Sequence, residues 1–228
     1  MNTKSITFIS LMGMLTTITL AGSIWLWLYL AGPNSINPSR ILPADNYALL
    51  AVASFGSYFC GGALWGLGIA LLTKTDVKAM VKTCALSWGL TAFVFSASLG
   101  LSLGPIFRFG NTITLRDNYY YLLIIVPVIG IVTGINGWVV ISKLGLKGFR
   151  LKASLKIGIA AALGFLAVSL FLQFVLGWEV GKPVPGKYAM LTLMHWCNMG
   201  AALAGGSVLG RELVESKSGL ESTASANE

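Results

Sequence analysis

Six stretches of this chain contain no Lys, Arg, Asp or Glu, and each is long enough to cross a bilayer. They run 5–39, 46–73, 83–107, 118–142, 157–178 and 188–210. A helix needs about 20 mostly apolar residues to span the hydrocarbon. Lipid offers no partner for free backbone N–H and C=O groups, so such stretches must satisfy themselves as helix or close into a barrel. Runs of this length select the helix. The pattern therefore predicts an all-α, six-span transmembrane bundle. Spans are expected at about 6–30, 47–72, 82–106, 119–142, 156–177 and 188–210. A membrane domain over 1–210 is followed by a cytoplasmic tail, 211–228, whose Ser, Ala and Glu content predicts disorder.

The charges then orient the bundle. With 16 basic and 8 acidic residues the formal net charge is +8. Basic residues collect in cytoplasmic loops, which accounts for this excess without nucleic acid. With the N-terminus inside, Lys4, Lys74, Lys78, Lys82, Lys143, Lys147, Arg150, Lys152, Lys156, Arg211 and Lys217 lie inside. Arg40, Arg108, Arg116, Lys182 and Lys187 lie outside. Both termini are expected in the cytoplasm. The first window outruns a signal-peptide h-region of about 7–15 residues, so an uncleaved first helix is expected. Trp25, Trp27 and Tyr29 would sit at its outer interface. A bacterial plasma or internal membrane is the expected location.

Breakers mark the outer turns: Gly32-Pro33, Asn37-Pro38, Gly104-Pro105 and the Gly181–Gly186 stretch. The inner connection 143–156 instead alternates basic and apolar residues. It is expected to lie along the cytoplasmic surface, its Lys and Arg toward anionic headgroups at about 1 kcal/mol per basic residue. A plain positive-inside loop is the alternative.

Tyr47, Tyr119 and Tyr188 open the second, fourth and sixth spans at spacings of 72 and 69 residues. This suggests three parallel helical-hairpin repeats. Each of those spans also carries a small-xxx-small pair: Gly62/Gly66, Gly130/Gly134 and Gly206/Gly210. Glycine lets helix backbones approach closely. The even-numbered spans are accordingly expected to be the inner helices, packed on one another.

Chemistry-bearing residues are few. His195 is the only histidine, with Asn198 and Met199 at i+3 and i+4 on its face. Gln173, Tyr58 and Ser96 reach a similar depth from other spans, so an intramembrane polar cluster of His195, Asn198, Gln173, Tyr58 and Ser96 is expected. His195 has three readings: a hydrogen-bonded structural histidine, part of a solute or proton site, or an axial ligand to haem or pigment. Pro127 removes one backbone hydrogen bond inside the fourth span and predicts a kink, with Asn136 nearby. The three cysteines, Cys60, Cys84 and Cys197, read as small packing residues. No ionisable group lies in any span, which disfavours ion-driven transport. One His and three scattered Cys do not make a zinc site, and no hydrolase or nucleotide-binding motif occurs.

No cofactor or metal is therefore expected, and no enzyme. The leading expectation is a non-catalytic scaffold, assembly or accessory subunit of a membrane complex, with a membrane-protein partner or a second copy. The alternatives are a small permease or channel for a neutral or lipophilic solute, and a haem- or pigment-binding protein.

Overall fold

The computed structural model describes residues 47–109, 115–145, 150–175 and 196–213. All regular structure among them is helical. The elements are α1 (Tyr47–Thr73), α2 (Val77–Phe109), α3 (Leu115–Lys143), α4 (Arg150–Phe174) and α5 (196–213). The expected first span, 6–30, lies outside the described residues, as do the start of the sixth span and the tail beyond 213. Neither the sixfold count nor the hairpin repeat is established by these elements.

Segments Ser54–Thr73, Leu122–Lys143 and Leu151–Phe174 are long and apolar enough to cross a membrane. Their outward faces are as apolar as their inward ones. Leu71 on α1, Leu123 on α3 and Leu151 and Phe174 on α4 are 60–73 % exposed. A water-soluble helix would turn a polar face outward. Lipid is the solvent in which this surface is stable.

The turns follow from local chemistry. Lys74 takes a left-handed conformation (φ 54°) just past α1, and the Thr75 N–H donates to the Ala70 carbonyl at 3.2 Å. This is the six-to-one closure of a Schellman cap. Asp76 then caps α2, its Oδ1 accepting from the Ala79 N–H at 3.2 Å. The cap starts α2 at Val77, five residues before the expected span, and Lys78 and Lys82 extend the helix beyond the hydrocarbon. Gly145 ends α3 in the same left-handed region (φ 73°). Helix α3 continues across Pro127 without interruption.

The 143–156 connection differs from expectation. From Arg150 it forms the first turns of α4. Ala153 and Ser154 are buried, and the Ser154 hydroxyl donates to the Gly134 carbonyl at 2.7 Å. Lys152 and Lys156 stay exposed. Small residues against α3 pull the segment into the bundle, while its lysines keep to the rim. Helix α5 likewise continues through 211–213, the first three residues of the expected tail, and Leu213 is buried.

Gly62/Gly66 and Gly130/Gly134 face the helix next in sequence and not the other even-numbered spans. A Cβ on Gly62 would stand 2.6 Å from the Cys84 carbonyl, and one on Gly66 would stand 2.9 Å from that of Met80. The first pair therefore seats α1 on α2. Gly130 and Gly134 seat α3 on α4, where a Cβ on Gly158 would stand 2.5 Å from the Gly130 carbonyl. On α5 the close approaches come from Gly200, against Gly164, and from Gly205, against Ala161 and Thr133. Gly206 and Gly210 are buried. The seams of α1 on α2 and of α3 on α4 thus join helices linked by short turns, while Gly205 brings α5 against both α4 and α3.

Two apolar clusters close the bundle. One gathers Ile69, Met80, Val140, Ile141, Ile157 and Leu209 from all five helices, near the 74–76 and 144–145 turns. The other joins α3, α4 and α5 through Ile125, Phe165 and Cys197. The first cluster brings both turns and the end of α5 to one end of the molecule. Lys74, Lys78, Lys82, Lys143, Lys152, Lys156 and Arg211 all belong to that end.

Candidate functional site

Tyr58, Gly62 and Trp65 lie at i, i+4 and i+7 on one face of α1. The missing side chain at Gly62 makes room between the two rings. Trp88 of α2 enters there, and a Cβ on Gly62 would stand 2.8 Å from the Trp88 Cβ. Trp88 stacks on Tyr58 with centroids 6.1 Å apart and meets the edge of Trp65 at 5.6 Å. Both are favoured aromatic geometries. Ala92 and Phe95 continue the α2 face at i+4 and i+7 from Trp88.

These aromatics form one wall of a partly open cavity of 90 Å³. Ile129, Val132 and Thr133 of α3 and Ile157 of α4 form another. Asn198, Ala201, Ala202, Gly205 and Gly206 of α5 complete it. The space exists because α5 presents small residues where the other helices present large ones. The lining is almost wholly carbon. The Trp88 indole Nε1 is buried and has no hydrogen-bond partner. Leaving a buried donor unpaired costs about 1–3 kcal/mol.

Beside the cavity, Asn136 joins α3 to α2. It is 1 % exposed. Its Oδ1 accepts from the Ser87 hydroxyl at 2.6 Å, and its Nδ2 donates to Thr91 Oγ1 at 3.1 Å and to the Val132 carbonyl at 2.8 Å. The amide is thus engaged on both ends, and its role is to hold two helices in register. The partners are two hydroxyls of α2 and the Val132 carbonyl one turn back on α3; the group freed by Pro127 is not among them.

The expected polar cluster is assembled in part. Tyr58 and Asn198 come together at the cavity wall. Gln173 does not join them; its Nε2 donates to Ser169 Oγ at 3.2 Å, one turn back on α4. His195 and the Ser96 side chain lie outside the described residues, and the haem or pigment reading rests on that histidine. Sequence reasoning missed Trp65, Trp88 and Phe95. Their signal was present as the matching i, i+4, i+7 spacings of Tyr58-Gly62-Trp65 and Trp88-Ala92-Phe95. Polarity alone was the search criterion, so an aromatic-walled site passed unseen. Among the described residues no group of three His, Cys, Asp or Glu could hold a metal ion.

Comparison with protein families, curated proteins and solved structures found no match to this chain. The helices and their apolar exteriors define the class: an all-helical protein whose composition is that of an integral membrane protein.

Proposed function

We propose that this chain is a six-span, non-catalytic membrane component, a scaffold or accessory subunit that offers helix faces to a membrane-protein partner. The reading is carried by how the bundle uses its polar groups. Asn136, Ser87, Thr91 and Ser154 bond helix to helix, which is assembly and not chemistry. The outward stripe of Ile131, Ile135 and Trp138 on α3 follows the i, i+4, i+7 spacing of a helix-docking face, each 44–61 % exposed. The basic end supports a cytoplasmic placement for the 74–76 and 144–145 turns, against anionic headgroups, with both termini on that side. A bacterial plasma or internal membrane remains the proposed location.

The test is isolation of the full chain in a mild detergent, with mass spectrometry of whatever accompanies it. A stoichiometric membrane partner is expected, and its retention should fall when Ile131, Ile135 and Trp138 are replaced together by Ala. Isolation of the intact chain as a lone monomer overturns the reading.

A further inference from the structure

We propose that the outward face of α2 binds an anionic phospholipid with a phosphomonoester headgroup, its phosphate held by Lys78 and Lys82 and one acyl chain laid along Leu86, Leu90 and Phe93. The inference rests on the placement of the basic end in a headgroup layer and is independent of any protein partner.

Lys78, Lys82, Leu86, Leu90 and Phe93 follow one another at intervals of three or four residues, so they share one face of α2. All five are exposed. Between Lys82 and Leu86 that face changes from ammonium to hydrocarbon within one turn. Leu86 and Phe93 stand about 6 and 16 Å beyond Lys82 along the helix axis. One leaflet of a bilayer's hydrocarbon is about 15 Å deep. A lipid whose phosphate meets the two lysines therefore runs its chain past the leucines as far as Phe93.

The face also has a wall. Gly89 falls on it, seven residues from Lys82, and carries no side chain. The rings of α1 stand there instead: a Cβ on Gly89 would lie 3.0 Å from the Phe55 ring and 3.3 Å from the Phe59 Cβ. The two rings stack on each other with centroids 5.7 Å apart. A chain lying beside them touches aromatic carbon on one side and Leu86 and Leu90 on the other, and many such small contacts add up.

Charge selects the headgroup. Lys78 and Lys82 are one turn apart, and like charges at that spacing repel. Neither has an ion pair or hydrogen bond to another described side chain, whereas Lys156 of α4 is paired with Glu212. Asp76 is the described acid nearest in sequence, and its Oδ1 accepts from the Ala79 N–H. Lys78 lies in the first turn of α2, where the helix dipole favours an anion over a cation. Two uncompensated positive charges call for a dianion. A phosphomonoester carries a charge of about −1.5 to −2 at pH 7 and three acceptor oxygens; a phosphodiester carries a single charge.

The experiment titrates the full chain in detergent micelles with lipid and counts bound molecules by native mass spectrometry. The probes are phosphatidic acid, phosphatidylglycerol and phosphatidylcholine with identical acyl chains. Phosphatidic acid is expected to bind saturably and about fivefold tighter than phosphatidylglycerol, one further charge contact being worth about that factor. Replacing Lys78→Gln and Lys82→Gln together should weaken phosphatidic acid about thirtyfold, two such factors, and erase the preference. Lys78→Arg with Lys82→Arg should keep it, as should Lys152→Gln, which removes one charge from the same end of the molecule. Inorganic phosphate in large excess should leave the bound lipid in place; displacement would show that the lysines take a free anion and would overturn the proposal. It is also overturned by an unchanged preference in the double Gln variant, or by loss of the preference in Lys152→Gln. Equal binding of the two anionic lipids, both tighter than phosphatidylcholine, overturns the site and leaves the headgroup placement standing. Equal binding of all three overturns both.

Discussion

Asn136 is where a single side chain ties the two halves of the bundle together. It makes three hydrogen bonds across and along the helices. Interhelical hydrogen bonds in membranes are worth about 0.6 kcal/mol on average and about 1.7 at most. Asn136→Leu should therefore destabilise the protein by about 1–2 kcal/mol in equilibrium unfolding from mixed micelles. Thr91 will still bond the Ser87 carbonyl at 2.8 Å, which limits the loss. Gly145 offers a second test. Its φ of 73° is left-handed, and a side chain there costs about 1–2 kcal/mol. Gly145→Val should lower stability by that amount, read in the same unfolding assay. Neither effect was fully legible beforehand: Asn136 stood out as a polar residue within a span, but its partners lie 45 and 49 residues away on another helix.

The helices themselves were legible to within a few residues wherever the uncharged windows set them. The exceptions have local causes. Asp76 starts α2 early by capping it, and Ala153 and Ser154 draw the basic connection into α4. The glycine seams were half legible. Gly62, Gly66, Gly130 and Gly134 were recognisable as packing residues, because their spacing puts each pair on one face. Which helix each pair meets was not, since any face without Cβ atoms can receive any neighbour. The geometry now separates two glycines on α1. Gly62→Leu drives a side chain into the Cys84 carbonyl and the Trp88 Cβ; overpacking of this kind costs about 1–3 kcal/mol, and the loss should fall at or beyond the upper end. Gly56 has nothing within 4 Å of an added Cβ, so Gly56→Ala should be neutral or stabilising by up to about 1 kcal/mol through helix propensity. Thermal unfolding of the two variants side by side checks the contrast. Equal losses would place the α1–α2 seam elsewhere.

At the scale of the whole molecule, charge and packing converge on one end. Lys156 of α4 and Glu212 of α5 form an ion pair there, the lysine half exposed. Such a pair contributes below about 1 kcal/mol and is screened by salt. A double-mutant cycle with Lys156→Ala and Glu212→Ala should yield a coupling under that value, shrinking further at high ionic strength. The 74–76 and 144–145 turns share this end. Single cysteines introduced as Lys74→Cys and Gly145→Cys, in a chain with its native cysteines replaced, should both react with an impermeant maleimide from the same side. Labelling from opposite faces would contradict the arrangement of α1 to α4.

The sequence alone determined the helical secondary structure of the described residues and their apolar exteriors. Long uncharged stretches favour a backbone that bonds to itself, and lysines gather where the described helices turn. Both are local consequences of which side chains are present. Tertiary structure decided the rest: which helix each glycine face meets, that Asn136 clasps Ser87 and Thr91, and that Tyr58, Trp65, Trp88 and Asn198 surround one cavity. These depend on helix rotation and partner choice. In a bilayer every helix exterior is apolar, so no hydrophobic pattern encodes either one.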